Sequence, residues 1–203
     1  MIIEIYLNTI METFQDWLLL YEGSIKTHVP TVRQEEKFSC GASVVKALFE
    51  YFKVSCHSEK QLINLLKTNE RDGTRTINII KICREYGLKT KARYNMTFEE
   101  LKKYLDSKKP VITCIQAWGN KKKYKDKKSG HYVIAIGYDK DNVYFQDPST
   151  GKGMRGYIPW NELRERWKDM DTNGGDRTRY GIVVWKEGGI KKAEIVNKSV
   201  KIK

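Results

Sequence analysis

The feature that most constrains this chain is a change of texture at Pro110. Before it, apolar residues recur at helical spacing; after it, they fall in β-branched runs separated by turn residues. Ile10, Phe14, Trp17, Leu18 and Tyr21 predict a helix over 10–21. THVPTVRQEEKFS, with Pro30 and no helical period, reads as extended chain. A second helix starts at about Cys40, with Val44, Val45, Leu48, Phe49 and Phe52 on its buried face. A third covers 58–68, where Ser58 and Gln61 have capping-box spacing. A fourth is capped by Thr76 and stopped at Gly87, and a fifth covers 97–109 with Thr97 and Glu100 as its capping pair.

Beyond Pro110 the spacing predicts strands in PVITCIQAW, in HYVIAIGYD and NVYFQD as a hairpin, in RGYIPW, and in RYGIVVWK (179–186). A short helix, NELRERWKDM, interrupts them. Helices first and strands later predict an α+β domain, its helical half packed on an antiparallel sheet. Three segments are expected: a helical N-terminal extension (1–28), one domain (29–187) and a basic tail (188–203), which frays or adds an edge strand.

Charge and cysteine usage narrow the function classes. Lys and Arg number 38 against 25 Asp and Glu, giving +13, which suits acidic substrates, nucleic acid or acidic lipid without choosing among them. No apolar run approaches the roughly 18 residues that cross a bilayer. The N-terminus lacks a basic region and a cleavage site, so a cytoplasmic protein with no membrane span is expected. Cys40, Cys56, Cys83 and Cys114 form no CxxC pair; Cys83 and Cys114 sit in apolar patterns as small buried residues. Cys56 and His57 are neighbours without further ligands, so no metal is expected.

Cys40, in Ser39-Cys40-Gly41-Ala42, stands just ahead of the strongest helix pattern, where free backbone N–H groups and the macrodipole favour a thiolate. Gly41 leaves room for a substrate carbonyl. His131, one of three histidines, opens a strand after the flexible Ser129-Gly130. On its pleat Val133, Ala135 and Gly137 become progressively smaller, a face against which the Cys40 helix is expected to press. Asp147 can orient the imidazole, on one condition. It shares the face of His131 only if residues of like parity pair across the hairpin. A two-residue turn at Lys140–Asp141 pairs odd with even, so the triad requires a longer loop or a bulge. Gln34, six residues before Cys40, can bring its amide beside the thiol as an oxyanion donor. Lys121, Lys122 and Lys123 precede Gly130 and are expected at the rim of the cleft, where they favour acidic substrates.

Together, Gln34 with Cys40-Gly41-Ala42, Gly130-His131-Tyr132-Val133 and Asp147-Pro148-Ser149 resemble the bacteriocin-processing, double-glycine-type cysteine peptidases of the papain-like fold. The resemblance runs from about Val29 to Trp167 and includes DGTRTINIIKICREYGLKT, TFEELKKYL and WNELRERW. It departs where Glu35, Glu36 and Lys37 fill the space between Gln34 and Cys40. The resemblance implies a thiol peptidase acting on a peptide or protein: Cys40 attacks, His131 moves the proton, Asp147 holds His131, Gln34 helps bind the oxyanion, and no metal or cofactor takes part. Two rival readings remain at this stage. The same groups could run acyl transfer or amide hydrolysis, or the domain could hold nucleic acid or an acidic partner without turnover.

Overall fold

A computed structural model describes residues 24–117, 123–126, 129–150, 155–170 and 175–188. The helix expected at 10–21 and the tail from 189 lie outside them. The helical half holds α1 (Cys40–Phe52), α2 (Glu59–Leu65) and α3 (Thr76–Glu85). After β1 (Lys89–Arg93) and α4 (Phe98–Asp106) come β2 (Val111–Gln116), β3 (Gly130–Tyr138), β4 (Asn142–Gln146) and β5 (Gly156–Pro159). The chain continues through α5 (Trp160–Arg166), the short β6 (Lys168–Met170) and β7 (Asp176–Thr178), and β8 (Gly181–Trp185).

Local chemistry accounts for the helix ends. Ser58 and Gln61 bond reciprocally at the start of α2, and Thr97 and Glu100 do so at α4. Gly87 takes a left-handed φ of 79° after α3, and the following Leu88 N–H bonds back to the Cys83 carbonyl. Thr76 does not cap α3. Arg75 holds the N-cap position and Thr76 is the first helical residue, buried at 5% exposure.

Six strands form one antiparallel sheet in the order β1-β8-β2-β3-β4-β5, and β6 pairs with β7 apart from it. The fold is α+β, as its texture predicted, but both faces of the sheet are covered. On one, Ile112, Ile134, Ile136, Ile182 and Val184 pack with α1, α2 and α3. On the other, Val111, Val133, Ala135, Phe145 and Val183 pack with Leu101 and Leu105 of α4 and Leu163 of α5. Burial on two faces explains why β2 and β3 read as continuous apolar runs rather than alternating ones.

Two elements differ from the pattern reading. The Lys168-Asp169-Met170 end of the expected helix is strand β6, and α5 stops at Arg166. β1, KTKAR, carries no apolar run; it is a sheet edge, held by pairing with β8 and by Arg84, whose Nε donates to Thr90 Oγ1 at 2.7 Å.

The β3–β4 hairpin carries a bulge. Next to the turn, Tyr138 pairs with Val143 and Gly137 with Tyr144, odd with even, as a two-residue turn dictates. Ile136 is then the extra residue, beyond which Ala135 pairs with Phe145 and Ile134 with Gln146, like with like. The carbonyl of Ile136 accepts the N–H groups of Lys26 and Thr27, each at 2.9 Å, and Ile25 bridges to Gly137. A side chain at Gly137 would put its Cβ 2.1 Å from the Ser24 carbonyl oxygen. So the small residue at 137 admits the incoming chain near Ile25. It does not admit the Cys40 helix, which packs on the opposite, even-numbered side of β3.

Candidate active site

Cys40 is the first residue of α1, partly exposed, where the helix end presents N–H groups without internal partners. Ser39 precedes it as N-cap, but its side chain makes no capping bond. The first helical bond runs from Ser43 N–H to the Ser39 carbonyl at 3.0 Å.

His131 stands near the start of β3 at 1% exposure. The shift of register at Ile136 carries Asp147, just past β4, to its side of the hairpin. His131 Nε2 donates to Asp147 Oδ1 at 2.7 Å, and the Cys40 side chain lies near enough to the imidazole to act on its pKa. That oxygen of Asp147 also accepts Ser149 N–H and Ser149 Oγ–H, each at 2.8 Å. Burial pulls the His131 pKa down, but the bond to Asp147 and the bond and charge of Cys40 outweigh it. The result is a pKa of about 9 against the ordinary 6.5. Asp147 moves the other way: burial raises its pKa, yet the bond and charge of His131 and the Ser149 bonds bring it below the ordinary 3.8.

The stretch ahead of α1 is tied along this same end of the sheet. Gln146 Nε2 donates to the Val32 carbonyl at 2.8 Å, and Gln34 N–H to the Pro148 carbonyl at 2.9 Å. Gln34 is thus tied to the residue that follows Asp147. Its amide Nε2 donates to the Glu36 carbonyl at 2.7 Å.

The remaining sequence candidates separate. Gly41 is buried, and a Cβ there would lie 2.4 Å from the Thr74 side chain, so its size is set by packing against Thr74. Gly130 is exposed, and a Cβ there would lie 2.8 Å from Asp169 Oδ1. Lys121 and Lys122 lie outside the described residues; Lys123 opens a short 3₁₀ turn (Lys123–Asp126), its side chain not among them.

All four cysteines are free. Burial pushes the Cys83 thiol up to about 12. His57 Nε2 pairs with Tyr86 Oη at 2.5 Å, and among the described residues no group of His, Cys, Asp or Glu could hold a metal. Two acids at the site escaped the sequence reading. Glu59 follows a capping serine and looks like an ordinary first-turn acid, yet it is 1% exposed. Asp169 stood inside an expected helix. Neither carries a local signal of burial.

The sequence pattern of the Peptidase_C39 like family matches residues 26–174, most of the chain and every residue of the constellation. The chain belongs to that family. Its members are cysteine peptidases acting on peptide bonds. The transport/processing ATP-binding protein ComA of Streptococcus pneumoniae is 27% identical over 135 residues, which are 66% of this chain and 17% of ComA. Among solved structures, the peptidase domain of Streptococcus ComA matches with a TM-score of 0.59 and 21% identity, covering 79% of this chain and all of that domain. A C39-like peptidase from Bacillus anthracis gives 0.63 and 17%, covering 80% and 97%. A double glycine motif protease from an AMS/PCAT transporter, crystallised with its leader peptide, gives 0.56 and 23%, covering 78% and 91%. These likenesses establish the fold. Among the described residues no helix is long and apolar enough to cross a membrane.

Proposed function

We propose that this C39-family chain cleaves peptide bonds with Cys40 as nucleophile, His131 as proton carrier, Asp147 as orienting group and Gln34 as oxyanion donor. The observation that carries the reading is the relay itself: Asp147 Oδ1 at 2.7 Å from one ring nitrogen of His131, and a helix-opening cysteine near enough to the ring to raise its pKa.

The steps follow from that geometry. With Nε2 committed to Asp147, Nδ1 serves the sulfur, and an imidazole whose pKa is raised to about 9 is suited to take the proton from Sγ as it attacks. Sγ attacks the scissile carbonyl carbon, and the carbonyl oxygen takes up the displaced electron pair. The Cys40 N–H and the second N–H of the Gln34 amide, the one not held by Glu36, donate to that oxyanion. Collapse breaks the C–N bond, and the imidazolium gives its proton to the departing amine. Water then attacks the thioester, loses a proton to His131 and releases the acid, returning the thiol. Asp147 fixes the ring through both half-reactions and stays ionised.

Peptides and proteins are the substrate class, and a leader peptide with a double glycine motif is the first to offer, because the AMS/PCAT relative is a double glycine motif protease crystallised with its leader peptide. In a cleavage assay read by mass spectrometry, wild type should cut such a peptide and Cys40→Ala should leave it intact. Cleavage surviving in Cys40→Ala would refute the assignment.

A further inference from the structure

Glu59 is a fully buried acid that the mechanism above does not use. It sits at the first turn of α2, yet its carboxylate serves the loop ahead of α1. Oε1 accepts the Glu35 N–H at 2.8 Å and the Ser39 hydroxyl at 2.5 Å, while Oε2 accepts the Ser43 hydroxyl at 2.8 Å. Glu35 is the residue after Gln34, and Ser39 the residue before Cys40. One oxygen therefore grips both neighbours of the two oxyanion donors. The turn between them closes on the same anchor. Glu36 N–H donates to Ser39 Oγ at 3.1 Å, Ser39 N–H donates to the Glu36 carbonyl at 3.2 Å, and that carbonyl is the one holding the Gln34 amide.

We infer that Glu59 is a positioning residue that sets the spacing between the Gln34 amide and the Cys40 N–H, and with it the width of the oxyanion hole. The inference rests on Cys40 and Gln34 having the roles given above. A carboxyl side chain is suited to the task because its two oxygens can accept all three bonds at once. Its burial removes the water that would otherwise compete for them. The charged stretch Glu35-Glu36-Lys37, a departure from the resembled pattern, thereby acquires a part: its first two residues supply backbone donors and the acceptor that lock the turn.

Two reactions of the same sulfur separate this role from general damage. Acylation by N-acetylglycine p-nitrophenyl ester passes through an oxyanion; alkylation by iodoacetamide does not. Glu59→Ala should slow Cys40 acylation about tenfold or more while alkylation changes less than about threefold, since a misplaced donor is felt only where charge develops on oxygen. Glu59→Gln, whose carbonyl oxygen can still accept both Oε1 bonds, should recover acylation to within about threefold of wild type. The hydroxyl pair gives a second reading in variants with little risk of misfolding. Ser39→Ala should cost acylation about three- to tenfold, and Ser43→Ala, which flanks neither donor, less than about twofold. Equal losses in both reactions for Glu59→Ala, or Ser39→Ala and Ser43→Ala behaving alike, would overturn the inference. Should Glu59→Ala fail to fold, the serine pair decides. Cys40→Ala separates the two levels. If it retains ester acylation, the nucleophile assignment fails; if it abolishes acylation while the Glu59 and serine variants match wild type, only the role of Glu59 fails.

Discussion

Cys40 and Cys114 lie near enough for the charge of one to act on the other, and they show how placement alone divides identical thiols. Cys40 opens a helix, is partly exposed and meets an imidazole held by a carboxylate. Cys114 lies mid-strand in β2 at 4% exposure and donates its S–H to Asp169 Oδ2 at 2.9 Å. Burial and then the negative charge of Asp169 push the Cys114 thiol well above its ordinary pKa of 9.0, and burial raises Asp169 as well. Cys40 faces an imidazole; Cys114 faces a carboxyl that accepts its S–H. A reactive thiol is favoured at a helix end beside a basic group, and the sheet interior offers neither.

The largest expected effect breaks that comparison outright. Cys40→Ala should lower peptide turnover by about a thousandfold or more. Cys114→Ala should leave turnover within about threefold and cost on the order of 1–2 kcal/mol of stability, because Asp169 loses a donor but keeps other partners. Chemical denaturation alongside the peptidase assay checks both.

Next comes the orienting carboxylate. Asp147→Asn should reduce turnover by about ten- to a thousandfold. It should also shift the alkaline limb of the rate profile from near pH 9 toward the ordinary histidine value, since the bond and charge of Asp147 supply part of what raises His131. Stability carries the same sign. A pKa raised in the folded state contributes stability that is complete below about 6.5 and is lost as pH rises through about 9. Melting temperature should therefore fall across that window in wild type, and by less in Asp147→Asn. A profile unmoved by the substitution would detach Asp147 from the imidazole.

The smallest effect sharpens the role of the bulge. Gly137→Ala forces a Cβ against the backbone near Ser24 and Ile25, and should cost about 1–3 kcal/mol. Because Ile136 is what brings Asp147 onto the face of His131, turnover in the folded fraction should drop too. Loss of stability with wild-type turnover per folded molecule would show that the register survives without that crossing.

The helix ends were legible because their chemistry is local: Ser58 with Gln61 and Thr97 with Glu100 bond within one turn and behave as their spacing says. The hairpin was legible only as a condition. Parity in the sequence showed that Asp147 needed a bulge, while the extra residue, Ile136, gives its carbonyl to Lys26 and Thr27, more than a hundred residues away. For the same reason the shrinking series Val133, Ala135, Gly137 was assigned the wrong neighbour; two unrelated contacts shape it, α4 and α5 for the first two and the incoming chain for the last. Edge strand β1 hid behind its charges. The burial of Glu59 arises from a loop folding over it from 24 positions upstream, which no pattern around residue 59 contains.

The most direct test of the central claim is competitive alkylation of the four cysteines by iodoacetamide near neutral pH, resolved by peptide mass spectrometry. A sulfur paired with the His131 imidazole predicts rapid modification at Cys40, slower modification at exposed Cys56, almost none at buried Cys83 and Cys114, and a marked slowing at Cys40 in His131→Ala. Labelling of Cys40 no faster than that of Cys56, and indifferent to His131→Ala, would contradict it.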